Sequence, residues 1–411
     1  MIITSNGIEF TNLKEFSKFT YDNGLVGVIQ LTEPIKDNGG NILIKEMVSV
    51  KETAIKKLEN LDGQFTPLFK VNLNDDLINR LSLAISKRIL PQIESAKNLF
   101  LKHLFEHNSS FINNFASFIK NSFYETKILL IFYRLMVERP EYFDYGIDNA
   151  LTCLGTVIQK SHQVKFIHRH AFLGGFFLDI ALSETDYFKF PYPQESDLIQ
   201  VSKLSGIAAA NVGLSKEIVV SIENSNIPGI YTEGSTLTID YETLEKNPLL
   251  KMSSEGGDSG EIDMEAEQIL TESFKISRFI KETYKKMDKS KDDVAEQLLV
   301  MFTYNTEKGV FLKEYAYPII ARFKEFQATV NKVRKVASIE NKCPHQPSAW
   351  AYPKPKSTQI LCKNRIYECK YFVGGWDINI VSAQSSFGYL GTPLNPGSYP
   401  KCKLEKELDN S

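Results

Sequence analysis

Apolar residues recur at helical spacing through most of the chain. Leu77, Leu81, Ala84, Ile85 and Ile89 hold the i, i+4 rhythm of one helix face, and Pro91 stands where it would bend or end that segment. Phe111, Phe115, Phe118 and Ile119 continue the pattern, and Ile128–Val137 is almost wholly apolar. Further helices are predicted at Tyr145–Val157, Gln200–Asn211, Lys216–Ser221, Ala266–Met287, Asp292–Phe302 and Phe311–Val336. Residues 1–72 follow a different rhythm. Leu25–Thr32 (LVGVIQLT) and Asn41–Lys45 (NILIK) are rich in β-formers and flank Asp37-Asn38-Gly39-Gly40, which predicts a hairpin. Ser49 and Glu52 have capping-box spacing ahead of Ala54, Ile55 and Leu58, so a short helix is expected there, with Phe65–Leu73 as a returning strand. The module is either a sensory or docking unit or a structural cap.

One stretch stands apart. Ala171–Leu182 (AFLGGFFLDIAL) is apolar all round except for Asp179. Such a helix belongs in a protein interior, and its 12 residues fall short of the roughly 20 that span a bilayer. A lone buried carboxylate is costly unless it is paired, hydrogen-bonded or bound to a metal. On one continuous helix, His170 would lie on the opposite side from Asp179, and His168 on the same side but about 16 Å away along the axis. Neither can share a metal with Asp179, and His162 is further still. The plain reading is a buried residue that hydrogen-bonds or caps a neighbouring helix end. His103 and His107, four apart, have the spacing of a two-histidine metal pair, and exposed or half-buried helix positions are the plainer explanation.

Composition narrows the class. Hydrophobic content of 43%, charged content of 24% and a net charge of −2 over 411 residues describe an ordinary globular protein of two to four domains, without electrostatic pull toward nucleic acid or anionic lipid. The start, MIITSNGIEF, lacks the pattern of a signal peptide, and no apolar run reaches membrane length. Five cysteines, an odd number and mostly scattered, argue against a disulfide framework. A cytoplasmic location is expected.

The order of segments over about residues 140–330 resembles the HD-GYP subgroup of the HD-domain phosphohydrolases. FLGGFFLDIAL resembles the "AALLHDIG" helix of that family, and KLSGIAAANVGLSKEIVVSI the helix pair that follows it. NSNIPGIYTEG stands where the GYP loop belongs. ILTESFKIS is similar to the "ILAVADVFDAL" helix, and EKGVFLKEYAYPII to the closing "GTQFDPELVEAFL" segment. LTEPIKDNGGNILIK also resembles a module that often precedes such domains. The resemblance implies an all-helical domain that holds two or three metal ions with His and Asp ligands and hydrolyses cyclic di-GMP.

The ligands depart from that pattern. Matched residue by residue, the first histidine of the family falls on Tyr145, the His of the HD pair on Leu178, and the His before Gly206 on Ser202. The paired histidines have no counterpart around Glu223 and Asn224. Glu272 stands where a late Asp ligand belongs, and Gly229 and Tyr231 remain of the GYP loop. Two carboxylates survive and no histidine. A two-ion phosphodiesterase lowers the pKa of a bound water and clamps both reacting oxygens, which a pair of carboxylates cannot sustain. The resemblance therefore implies a remnant pocket at Tyr145, Asp179, Ser202, Glu223, Asn224, Gly229, Tyr231 and Glu272, with no catalytic residue and no cofactor. The alternatives are a working phosphodiesterase with iron or manganese at Asp179 and Glu272, or a sensor that binds cyclic di-GMP without cutting it. For such a sensor Lys203, beside Ser202, is the one cation close in sequence.

After Val336 the composition turns to Pro, Tyr, Cys and Gly. Cys343, His345, Cys362 and Cys369 form a soft ligand set for a structural zinc, with Cys402 as a spare, at spacings that match no common knuckle. Buried or surface thiols are the alternative. Tyr367–Phe372 and Ile378–Ser382 are strand-like, and Trp350, Tyr352, Trp376 and Tyr389 suit either a docking patch or a lid packed on the helices.

The expectation is a mainly α protein: a small α+β module (1–72), a helical connector (73–139), a helical HD-domain-like bundle (140–336, with an acidic Gly/Ser-rich loop at 252–263) and an irregular Cys/aromatic extension (337–411). Its expected role is regulatory, through a protein partner and in bacterial signalling, with a cyclic di-nucleotide as the alternative ligand.

Overall fold

The computed structural model describes residues 1–3, 7–61, 63–94, 105, 114–159, 166–185, 195–227, 242, 244, 246–251, 261–286 and 294–324. Within them the chain is mainly helical, with a small β-containing unit at the N-terminus. The zinc candidates Cys343, His345, Cys362 and Cys369, the histidines 103, 107 and 162, most of the 252–263 loop, and Gly229 and Tyr231 lie outside the described residues.

The N-terminal strands are β1 (Ile2–Ile3), β2 (Ile8–Phe10), β3 (Ile35–Lys36), β4 (Ile42–Ile44) and β5 (Phe69–Val71). β2 lies between β1 and β5 in an antiparallel sheet, and β3 pairs with β4 in a separate hairpin. Helix α1 (Leu13–Asp22) is capped by Asn12, whose side chain accepts from the amides of Lys14 and Glu15. It lays Phe16 flat on Phe69 of the sheet, ring centroids 4.3 Å apart. The predicted turn at Asp37–Gly40 is present, held by the Asp37 carboxylate accepting from the amides of Gly39 and Asn41.

Two local expectations are overturned. Leu25–Thr32 is not a strand. Gly24 and Gly27 take positive φ, the backbone turns through Val28 N–H and Ile29 N–H to the Leu25 carbonyl, and only Leu31 bridges to Val71. Leu25, Ile29 and Leu31 are still fully buried, and only the end of the stretch pairs with β5, through Asn72 N–H to Gln30 O and Thr32 N–H to Lys70 O. Nor does Ser49 form a capping box. Helix α2 (Glu52–Asn60) starts from Lys51 with no side-chain cap, which puts Glu52 in the first helical position.

Helix α3 (Asp75–Glu94) buries Leu77, Leu81, Ile85, Ile89 and Ile93 and runs past Pro91, which faces solvent near its end. Then come α4 (Phe115–Ser122), α5 (Thr126–Glu138), α6 (Pro140–Ile158) and α7 (Ile167–Phe177). Pro140 sits in the first turn of α6, where its missing N–H costs nothing. The rest are α8 (Glu195–Asn211), α9 (Lys216–Glu223), α10 (Met264–Lys286), α11 (Val294–Glu307) and α12, residues 313–324. Helix α7 is surrounded by α4, α6, α8, α9 and α10, and every side chain from Ala171 to Phe177 is buried. Phe176 stacks on Phe132 of α5 at 3.7 Å. Among the described residues no helix is long and apolar enough to cross a membrane.

The apolar stretch Ala171–Leu182 is not one helix. α7 stops at Phe177, Leu178 and Asp179 form a turn, and Ile180–Glu184 continues as a 3-10 turn. The carbonyls there have found other donors: Asn247 donates to Ile180 O, Ala181 O and the Ser183 hydroxyl, and Arg278 to Leu178 O. Tertiary hydrogen bonds end the helix where sequence pattern alone would extend it.

Candidate functional site

The break at the end of α7 aims Asp179 at α10. Its carboxylate is buried, and its Oδ1 lies 2.8 Å from Nη2 of Arg278, which is equally buried. The Nη2 hydrogens are directed elsewhere, to the Leu178 carbonyl at 3.0 Å and the Ser202 hydroxyl at 3.1 Å. Oδ1 therefore meets the guanidinium as a counter-ion and not in line with an N–H. Arg278 Nε donates to Ser225 Oγ at 3.1 Å, and that hydroxyl donates onward to Ile222 O at 2.7 Å. Ser202 in turn donates to Asn226 Oδ1 at 3.1 Å. On the other side, the Tyr145 hydroxyl donates to Asp179 Oδ2 at 2.7 Å. One arginine thus ties together the end of α7, the middle of α8 and the end of α9, with α6 joined through Tyr145.

The outer rim carries a second cation. Lys281, one turn beyond Arg278 on α10, donates to the Tyr145 carbonyl at 3.0 Å and to Asn149 Oδ1 at 2.7 Å. Its ammonium lies 3.5 Å from the centre of the Tyr145 ring. Below it, α6 and α10 meet along a polar seam where Thr156 and Ser273 share a 2.6 Å hydrogen bond and Ser273 donates to Cys153 O. Burial pushes the Cys153 thiol up to about 12, so it is no nucleophile at neutral pH. Burial also drives the Tyr142 hydroxyl well above its usual range; it donates to Phe176 O. His168 and His170, in the first turn of α7 and at its far end from Asp179, are held below the ordinary imidazole value by desolvation.

The residues assigned by the HD-GYP resemblance separate into groups. Tyr145, Asp179 and Ser202 converge. Glu223 and Asn224 do not: both are exposed at the end of α9, and Glu223 lies over Gly206 of α8. Their neighbour Ser225 makes the inward contact instead. Glu272 is also elsewhere. Six residues before Arg278 on α10, it points about 120° away from it. Its Oε2 accepts from the amide of Leu312 ahead of α12, and its Oε1 from Lys275 Nζ. Lys203, on an exposed position of α8, is not the cation of the site. That cation is Arg278, which sequence reasoning passed over. Its signal was present: Leu270, Phe274 and Arg278 share one stripe at i, i+4, i+8, and a lone arginine on a buried stripe calls for a lone buried acid.

This donor set does not fit the di-metal centre that the resemblance implies. A metal at Asp179 would have to displace a guanidinium from a carboxylate already bonded on its other oxygen by Tyr145, and Glu272 is committed to a different helix end. No protein-family model matches the chain, and no curated protein or solved structure does.

Proposed function

We propose that the protein is a non-catalytic regulatory or interaction protein whose central domain is a degenerate HD-GYP-like phosphohydrolase domain, working in bacterial signalling. The observation that carries this reading is the pairing of Asp179. The remaining acid of the HD pair is neutralised by Arg278, a positive group built into the chain where the enzyme would need an exchangeable ion with open coordination sites. A guanidinium does not activate water as a bound metal ion does, and the Nε–H and both Nη2 hydrogens of this one are directed to Ser225, Leu178 and Ser202. In this reading the domain keeps its helical frame and presents a surface to a protein partner.

The test is metal and turnover analysis of the purified full-length chain. The expected result is substoichiometric iron and manganese and cyclic di-GMP left intact. A full di-metal load that disappears in Asp179→Asn while helical content is retained would overturn the proposal, as would hydrolysis of the dinucleotide.

A further inference from the structure

The last two helices among the described residues carry exposed apolar side chains at the point where 87 further residues of the same chain begin. On α11 the inward positions Leu298 and Phe302 are buried, while Val300, Met301 and Tyr304 on the opposite side are 61%, 45% and 59% exposed. These three lie at i, i+1 and i+4 and form one continuous strip. Tyr317 of α12, 44% exposed, extends it, since its hydroxyl reaches Glu307 at the end of α11. Leu312, between the two helices, is exposed as well. Single apolar residues on a surface are ordinary, but a strip across adjoining helices calls for a cover.

We propose that the cover is the aromatic stretch 350–376 of the same chain. The described part of α12 runs to residue 324, seven residues or about 10 Å along the helix from Tyr317, so the chain toward Trp350 leaves from the same helix that carries part of the strip. Twenty-five intervening residues reach up to about 80 Å when extended, whereas the return along α12 is only about 18 Å. The intramolecular position gives the segment a high effective concentration at the strip, which a separate protein partner would have to exceed. The stretch is also suited to the surface. Trp350, Tyr352, Tyr367, Tyr371, Phe372 and Trp376 supply large apolar rings with polar edges, which match a strip made of Val, Met and two tyrosines. This inference does not depend on the reading of the central domain.

The only two tryptophans of the chain, Trp350 and Trp376, lie in the proposed cover, so its environment can be read by fluorescence in the intact protein. Expected is a blue-shifted emission protected from iodide quenching, moved to the red and opened to quencher by Val300→Lys with Tyr304→Glu. Both positions are exposed, so far-ultraviolet circular dichroism should be unchanged. A paired control at Ile42→Lys on the distant hairpin should leave the emission alone. Emission already red and quenchable in the wild-type chain would overturn the proposal. So would protected tryptophans that ignore the two substitutions, which would mean that the stretch packs elsewhere. Dimers by light scattering that the same substitutions dissociate, with emission unmoved, would assign the strip to a second copy instead.

Discussion

Burying a carboxylate with a guanidinium removes two ions from water, and the attraction between them repays that loss only when other hydrogen bonds satisfy both groups. Arg278 is held by Ser202, Ser225 and Leu178 O, and Asp179 by Tyr145 on Oδ2, while Asp179 Oδ1 has the guanidinium charge alone. Removing one partner leaves the other charged in a dry interior. Arg278→Ala is therefore expected to lose about 3–5 kcal/mol in urea unfolding. The double variant Arg278→Ala with Asp179→Ala should recover part of that loss, because no orphan charge remains. A single variant within about 1 kcal/mol of wild type would mean that the pair is solvated and does not organise the domain. At this scale half of the site was legible. An acid alone in an apolar run announces that it needs a partner, and Tyr145 and Ser202 were picked out by their places in the motif order. The partner showed only as a lone arginine on the apolar stripe of Leu270 and Phe274 in α10, and its pairing with Asp179 was not legible, because nothing local in the sequence links that helix to Asp179.

Helix α7 is held by what it lacks as much as by what it carries. A Cβ on Gly174 would fall 2.3 Å from Phe274 Cζ and 3.0 Å from Ile218 Cγ2, both side-chain atoms of neighbouring helices. A Cβ on Gly175 would meet the Ala150 Cα at 2.8 Å and the Asn149 carbonyl at 3.0 Å, both main chain of α6. Alanine gains about 1 kcal/mol of helix propensity over glycine, while overpacking a full core costs about 1–3 kcal/mol or more. Overpacking should win at both positions, and the order is set by what can move. Phe274 can rotate, but the α6 backbone can yield only if the helices separate. Gly175→Ala is thus expected to lower the melting temperature more than Gly174→Ala, and Phe274→Leu should rescue Gly174→Ala alone. Equal losses, or rescue of both, would contradict this packing. The pattern at this scale was readable for the existence of α3, α5, α6 and α10. It failed at the end of α7 because a helix stop made by Asn247 and Arg278 leaves no Gly or Pro behind, and at Leu25–Thr32 because buried apolar residues in a turn resemble a strand.

Across the whole molecule, the N-terminal module is packed against the helices that follow it. Its strands are two or three residues long, and such short pairings need packing against something else. That support comes from α5. Phe19 of α1 meets Tyr133 edge-on at 5.9 Å, and the Tyr133 hydroxyl donates to Asn23 Oδ1. One large apolar core includes buried residues of both the module and the helices, from Ile3 to Phe323, with Ala181, Leu182, Val201 and Leu244 in a separate small cluster. Burial at this junction also raises the Tyr133 hydroxyl to about 12, so it stays a donor throughout the neutral range. A continuous core implies shared stability. Phe19→Ala, expected to cost about 3–5 kcal/mol, should lower hydrogen-exchange protection in β2 and β5 and in α5 to α7 by the same free energy. Loss confined to the strands, with α6 and α7 unchanged, would show that the module opens by itself. In that case the sheet would be a separable unit able to engage a partner while the helices stay folded, and the regulatory reading would shift from the helical domain to its N-terminal end.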